Sequence, residues 1–178
     1  MFTLKLEEIH DEGLNLAWQE ERASLLAYLE SFSKIDFDFE SPLQSEVKVK
    51  KVGRSILITG KVETTLQLQC TRCLKKFFYP LSSRFELSLH PLKEAPSEEE
   101  VELGREDMES SFFEGGEIHL SEIACEQVLL DIPYQPICQE GCKGLCSVCG
   151  QDLNLSTCQC VKEKWTSGFS VLKKLKLD

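Results

Sequence analysis

Six of the nine cysteines fall between Cys138 and Cys160, in the run CQEGCKGLCSVCGQDLNLSTCQC. The spacing is C-x3-C-x3-C-x2-C-x8-C-x-C. Its centre, Cys146-Ser147-Val148-Cys149-Gly150, pairs two thiolates across a tight turn, and the glycine lets backbone N–H groups approach sulfur. Such a knuckle binds metal. A soft four-sulfur set suits zinc or an iron–sulfur cluster, and no histidine inside the run suggests an open catalytic position. A second pair, Cys70-Thr71-Arg72-Cys73, raises the number to eight, enough for two four-cysteine sites, with Cys125 left over. Two rival readings fit less well. Disulfides or plain buried thiols sit poorly with an odd count and the lack of a secretory pattern. A redox C-x-x-C would need a βαβ context that neither pair has.

The opening MFTLKLEEIHDEG shows neither a basic start followed by an apolar run nor an Arg/Ser-rich pattern, and no stretch approaches about eighteen uncharged apolar residues. A reducing, cytoplasmic setting is therefore expected, where dense cysteines hold metal. The formal charge is −10 over 178 residues, but it lies in blocks. Residues 1–46 carry three Lys/Arg against eleven Asp/Glu, 47–84 carry nine against one, 94–126 one against twelve, and 161–178 five against two. The basic middle is the second unusual feature. It marks a candidate phosphate-facing surface.

Along the chain, Phe2 to Glu8 alternates like a strand. Trp18, Leu25, Leu26, Leu29 and Phe32 recur at helical spacing, which predicts a helix near 17–32 with Gln19, Glu20, Glu21 and Glu30 on its other face. From Asp36 the period returns to two. Glu46 to Lys51 and Ser55 to Thr59 read as strands around a Gly53-Arg54 turn, with Gly60 as a bulge or break. Val62, Thr64, Leu66, Leu68 and Cys70 share one face of the next strand, and the chain returns along Phe85, Leu87 and Leu89. The Cys70/Cys73 pair thus sits at a hairpin tip. Residues 93–116 read as a solvated acidic loop. Ile118 to Asp131 reads as a helix capped by Ser121 and ended by Pro133, with Leu120, Ile123, Ala124, Val128 and Leu130 as its apolar stripe and Cys125 as an inert buried thiol. His10, His90 and His119 stand apart from any recognisable nucleophile, and the last residues read as a short basic helix.

Three stretches together resemble one family: Cys-Thr-Arg-Cys-Leu from Cys70 to Leu74, Leu-Asp-Ile-Pro-Tyr-Gln-Pro-Ile-Cys from Leu130 to Cys138, and G-C-K-G-L-C-S-V-C-G-Q-D-L-N from Gly141 to Asn154. With Cys158-Gln159-Cys160 and the closing Phe169 to Lys176, the chain downstream of residue 45 resembles the YceD family, a bacterial and plastid group named for large-subunit ribosomal RNA accumulation. The family often has proline beside the phenylalanine where this chain has Gly168. The resemblance implies a role in synthesis, processing or stability of 23S ribosomal RNA, hence ribosome biogenesis, and brings no catalytic residues with it.

The fold expected is α+β: an antiparallel sheet packed by helices in a core of residues 1–135, followed by a cysteine-rich, zinc-bound segment and basic helix at 136–178. Two structural zinc ions are expected, one held by Cys70, Cys73, Cys138 and Cys142 and one by Cys146, Cys149, Cys158 and Cys160. The pairing follows from the hairpin-tip pair needing two more thiolates, which the cysteines directly after the last core helix can bring. RNA contact, if direct, is assigned to Lys48, Lys50, Lys51, Arg54, Lys61, Arg72, Lys75, Lys76 and Arg84. A non-enzymatic assembly factor that meets large-subunit RNA or the pre-ribosomal particle is one reading. A zinc-stabilised adaptor that binds basic ribosomal proteins without touching RNA is the other.

Overall fold

The computed structural model describes residues 1–10, 12–30, 36–94 and 110–160. Its centre is a pair of long strands, β5 (Ser55–Gln69) and β6 (Lys76–Pro91), joined through the cysteine pair and hydrogen-bonded from Ile56↔Leu89 to Gln69↔Lys76. β4 (Leu43–Val52) lines the other edge of β5, and β2 (Leu14–Glu20) lines β4, all antiparallel. The short β3 (Asp38–Phe39) continues along β5 beyond β4, and β7 (Ser110–Phe113) adds to β6 as the sheet's parallel member. A separate two-stranded ribbon pairs β1 (Thr3–Lys5) with β8 (Glu117–His119). Among the described residues the α-helices are α1 (Arg22–Glu30) and α2 (Leu120–Asp131).

Alternation decides which side is covered. Leu43, Val47 and Val49 of β4, Ile56, Ile58, Val62, Leu66 and Leu68 of β5, and Leu81 and Leu89 of β6 all point to one face. There they pack on Leu25 and Leu29 of α1, on Leu120, Ala124, Cys125 and Val128 of α2, and on Leu4 and Ile118 of the ribbon. Each large aliphatic so buried contributes about 1.5–3 kcal/mol. The opposite face carries Gln44, Glu46, Lys48 and Lys50 of β4 and Lys76, Phe78, Pro80, Ser82, Arg84 and Glu86 of β6, every one exposed.

The antiparallel α+β expectation holds, with several local corrections. Residues 14–20 are a strand, not the start of a helix. Leu14, Leu16 and Trp18 alternate with exposed Asn15, Ala17 and Gln19, and pairing to β4 outweighs the helical spacing that Trp18 shares with Leu25. Trp18 packs against both core clusters and stacks on Phe2 at 5.1 Å. Phe32 lies outside the described residues. Gly60 is neither bulge nor break: it pairs in register with Val47 and Phe85, and an added Cβ would lie 2.6 Å from a Val47 methyl, so close strand approach is what requires glycine.

Ser121 is not a cap. It sits inside α2, accepts the Phe2 N–H and donates to the buried carboxylate of Glu20, which also accepts the Phe2 N–H at 3.1 Å. Leu130 is 76% exposed, and the buried stripe runs instead through Leu120, Ser121, Ala124, Cys125 and Val128. The helix does end before Pro133, with Ile132 extended. Of the expected acidic loop, 95–109 lie outside the described residues while Ser110–Phe113 form β7, whose unpromising sequence is held by pairing to β6. The expected basic helix after Val161 also lies outside them. Cys125 is fully buried, and burial, with Glu126 and Glu20 nearby, pushes its thiol up to about 12.

Candidate metal centres and the outward sheet face

The chain after β5 makes a knuckle. Cys70 N–H donates to the Lys75 carbonyl and Leu74 N–H to the Cys70 carbonyl, both at 2.9 Å, which forces Leu74 to a φ of +59°. The run at Cys146 repeats this geometry. Cys146 N–H donates to the Gln151 carbonyl at 2.8 Å and Gly150 N–H to the Cys146 carbonyl at 2.9 Å, with Gly150 at φ +73°. Val148 N–H approaches the Cys146 sulfur at 3.4 Å. In both, the residue after the second cysteine adopts the left-handed region, which glycine enters freely and leucine only at about 1–3 kcal/mol.

Each knuckle gathers two further thiols. The sulfurs of Cys70, Cys73, Cys138 and Cys142 lie within 4.8 Å of one another, and so do those of Cys146, Cys149, Cys158 and Cys160. Cys70 and Cys142 are 3.8 Å apart, Cys73 and Cys138 3.7 Å. A zinc ion with four thiolates at about 2.3 Å places sulfurs about 3.8 Å apart on the edges of a tetrahedron, whereas a disulfide needs about 2.05 Å. The spacing therefore fits a four-sulfur ion and not a bridge.

Electrostatics point the same way. Burial alone would raise the Cys70 thiol, but the backbone N–H groups of Cys73, Cys138 and Arg72 outweigh it and bring the thiol down to about 6. Burial, followed by the neighbouring Cys142, pushes Cys138 up to about 12. In the second set the N–H groups of Cys149 and Val148 bring Cys146 to about 6, while the hydrogen bond with Cys149, then burial, lifts Cys160 to about 12. Four converging thiolates repel one another, and a divalent cation is what lets all four ionise.

The two sets are joined by Thr71 and Asn154, which the sequence did not single out, and by Arg72, which it assigned only to RNA contact. Thr71 donates from its N–H and its hydroxyl to the Pro136 carbonyl at 2.9 and 3.1 Å. Arg72 donates to the Cys142 carbonyl at 3.0 Å, and its own carbonyl accepts the Leu145 N–H at 3.1 Å. Asn154, from the second loop, donates through its amide to the Cys142 sulfur at 3.5 Å and accepts the Lys143 N–H at 2.8 Å. Asp152 holds that amide in place at 2.7 Å. The Asp-x-Asn spacing at 152–154, a turn signal, could have drawn attention to this pair.

The nine cations assigned to RNA do not form one patch. Lys48, Lys61 and Arg84 lie on the outward face of three adjacent strands, with Lys61 opposite Arg84 in register. Glu46, Glu63 and Glu86 are interleaved with them, and Lys61 pairs with Glu63 at 2.7 Å, keeping that carboxyl below its ordinary range. Lys50, Lys51 and Arg54 lie towards the far turn, Arg72, Lys75 and Lys76 at the knuckle. The fifteen residues of β5 put about 50 Å between those two ends. Sequence reasoning missed Phe78, an exposed aromatic on this face close to Lys76.

Among the described residues no helix is long and apolar enough to cross a membrane. The family model described as large ribosomal RNA subunit accumulation protein YceD matches residues 58–176, most of the chain and all eight paired cysteines. The chain belongs to the YceD family. It is 28% identical over 96% of its length to large ribosomal RNA subunit accumulation protein YCED homolog 1, chloroplastic, of Arabidopsis thaliana, and 28% identical over 75% to the protein of that name in Zea mays. An uncharacterized protein of Mycobacterium tuberculosis is 30% identical over 67% of the chain. The matched regions cover 60%, 53% and 55% of these relatives, respectively. No solved structure matches the chain.

Proposed function

We propose that this YceD-family chain is a non-enzymatic cytoplasmic factor in ribosome biogenesis. It acts in the synthesis, processing or stability of 23S ribosomal RNA, and each cysteine set holds one structural zinc ion. The observation that carries the RNA contact is the outward row of Lys48, Lys61 and Arg84 across three strands of a chain whose net charge is −10. A non-enzymatic role agrees with the donor sets, since four sulfurs saturate a tetrahedral ion and leave no position for a reacting water. His90 spends its two ring nitrogens on Ser55 at 2.8 Å and Ser88 at 3.2 Å, which suits a surface hydrogen-bond bridge rather than a base oriented by a third group.

Protein purified under reducing conditions is expected to carry two zinc ions, and Cys73→Ser one; fresh protein without metal would overturn the assignment. Brown colour with visible absorbance would replace zinc by an iron–sulfur cluster. Replacing Lys48, Lys61 and Arg84 by alanine is expected to weaken RNA binding and to reduce its salt dependence by about one counterion per lost phosphate contact. Unchanged affinity and slope, with the fold intact, would favour the adaptor that binds basic ribosomal proteins. That second reading draws on the interleaved glutamates and on a groove of about 680 Å³ beside the first cysteine set, where Leu74, Leu129 and Tyr134 are exposed.

A further inference from the structure

β6 turns its aromatics to opposite sides. Phe77 and Tyr79 pack against the core, while Phe78 is 59% exposed on the outward face. Its neighbours on that face are Lys76, Pro80 and Gln67, so the ring stands open beside a cation and a carboxamide. Lys76 stands two residues before it on the same face. Across on β5, Gln67 is its register partner and Gln69 that of Lys76. Beyond Gln67 the row continues to Asp38 of β3, whose carboxylate is held by two hydrogen bonds from Arg22 at 2.7 and 2.5 Å. That pairing cancels the one acid in the row, so the exposed Lys76 sets its sign. A groove of about 390 Å³ runs alongside, lined by Gln67, Gln69, Lys76 and Arg22, with Glu30 and Asp36 also on its wall. Those two carboxylates repel phosphate and leave the lysine side as its place.

We propose that Phe78, Gln67, Gln69 and Lys76 form a platform for one unpaired nucleotide of RNA. The ring supplies a face on which a base stacks. The Gln67 carboxamide offers a donor and an acceptor to the base edge, Gln69, whose amide donates one N–H to the Leu74 carbonyl at 2.9 Å, offers its oxygen and second N–H, and Lys76 meets the phosphate. A duplex keeps its base faces stacked inside and cannot use the ring, so the platform selects single strands, loops or bulges. The inference rests on the RNA-contact reading above and deepens it, adding base stacking to charge.

The test uses the full chain, titrated with a mixed-sequence single-stranded RNA oligonucleotide and with a blunt RNA duplex. The expected result is tighter binding of the single strand, and a loss of roughly 5- to 150-fold in that affinity in Phe78→Ala, with the duplex affinity and the salt slope unchanged. Phe78→Trp should keep the affinity and show fluorescence quenched by the single strand beyond any change in the parent protein. If the parent binds RNA but Phe78→Ala binds the single strand as well as the parent does, the platform is refuted while RNA contact stands. Equal loss on single strand and duplex refutes it too, as does loss of affinity for a basic ribosomal protein alone. A parent chain that binds neither RNA overturns the RNA reading itself and the platform with it.

Discussion

Removing the metal with a chelator is expected to release residues 136–160 from the hairpin tip while the sheet remains folded. Among the described residues, the two large core clusters contain none beyond Ile132. Around the first cysteine set the apolar packing amounts to Phe77, Ile137 and Leu145 against the thiols themselves, and Val148, Leu155 and Tyr134 are left exposed. Ordering backbone costs about 1–2 kcal/mol per residue, and the net contribution of a hydrogen bond is only about 0.5–1.5 kcal/mol. The segment has too few contacts to offset that cost alone. Structural zinc in small peptides contributes about 10–16 kcal/mol, so the ions, if bound, decide whether this segment is ordered. Hydrogen exchange is expected to show protection lost from 136–160 and retained in 43–69 and 76–91. Cys142→Ser should have the same effect near Pro136 and Arg72 without chelator. Loss of the whole sheet in one cooperative step would show instead that the knuckle at Cys70 is integral to the main core.

The sheet was legible wherever one face is buried and the other wet, because a period of two is then written into the side chains. Val62 to Cys70 is the clearest case: every second residue is buried and the strand delivers Cys70 to its end pointing inward. Residues 14–20 obey the same rule, yet the helix expected near 17–32 takes in their second half, since Trp18 runs into the helical spacing of α1 without a proline or glycine between them. Gly60 and Ser121 misled for a different reason. Their roles depend on what approaches from elsewhere, Val47 and Phe85 in one case and Glu20 in the other, and local spacing is silent on that. The same holds at the cysteine sets. Which thiols converge was legible, because a C-x-x-C knuckle supplies two ligands and chain order supplies the next two. That Arg72 and Asn154 tie one set to the other was not, because it requires knowing that two loops meet.

That meeting point gives the last expected result: Gly144→Ala should weaken metal binding at the first cysteine set while sparing the second. Gly144 has a φ of +73°, and a Cβ there would lie 2.9 Å from the Arg72 carbonyl oxygen and 3.3 Å from the Arg72 Cβ. The left-handed conformation costs an L-residue about 1–2 kcal/mol, and the close contact adds to it by pushing the loop off the hairpin tip. With that displacement go the Leu145 N–H bond to Arg72 and the Arg72 bond to Cys142, the contacts that hold Cys142 over the knuckle. The knuckle at Cys146 closes through its own hydrogen bonds, and the Gly144 carbonyl, which accepts the Leu153 N–H at 2.9 Å, is kept in the alanine variant. A combined loss of about 2 kcal/mol corresponds to roughly 30-fold in affinity, since about 1.4 kcal/mol is tenfold. Competition with a chromogenic chelator should resolve one ion released more readily and one unchanged. Asn154→Ala, which takes away the donor to the Cys142 sulfur, should act on the same ion by about 10–100-fold, the usual effect of removing a group that orients a ligand. Gly141 supplies the control. Its added Cβ would meet nothing within 4 Å, so Gly141→Ala should leave both ions in place. If Gly144→Ala behaves like Gly141→Ala, the loop contact does not position Cys142, and the two sets load independently.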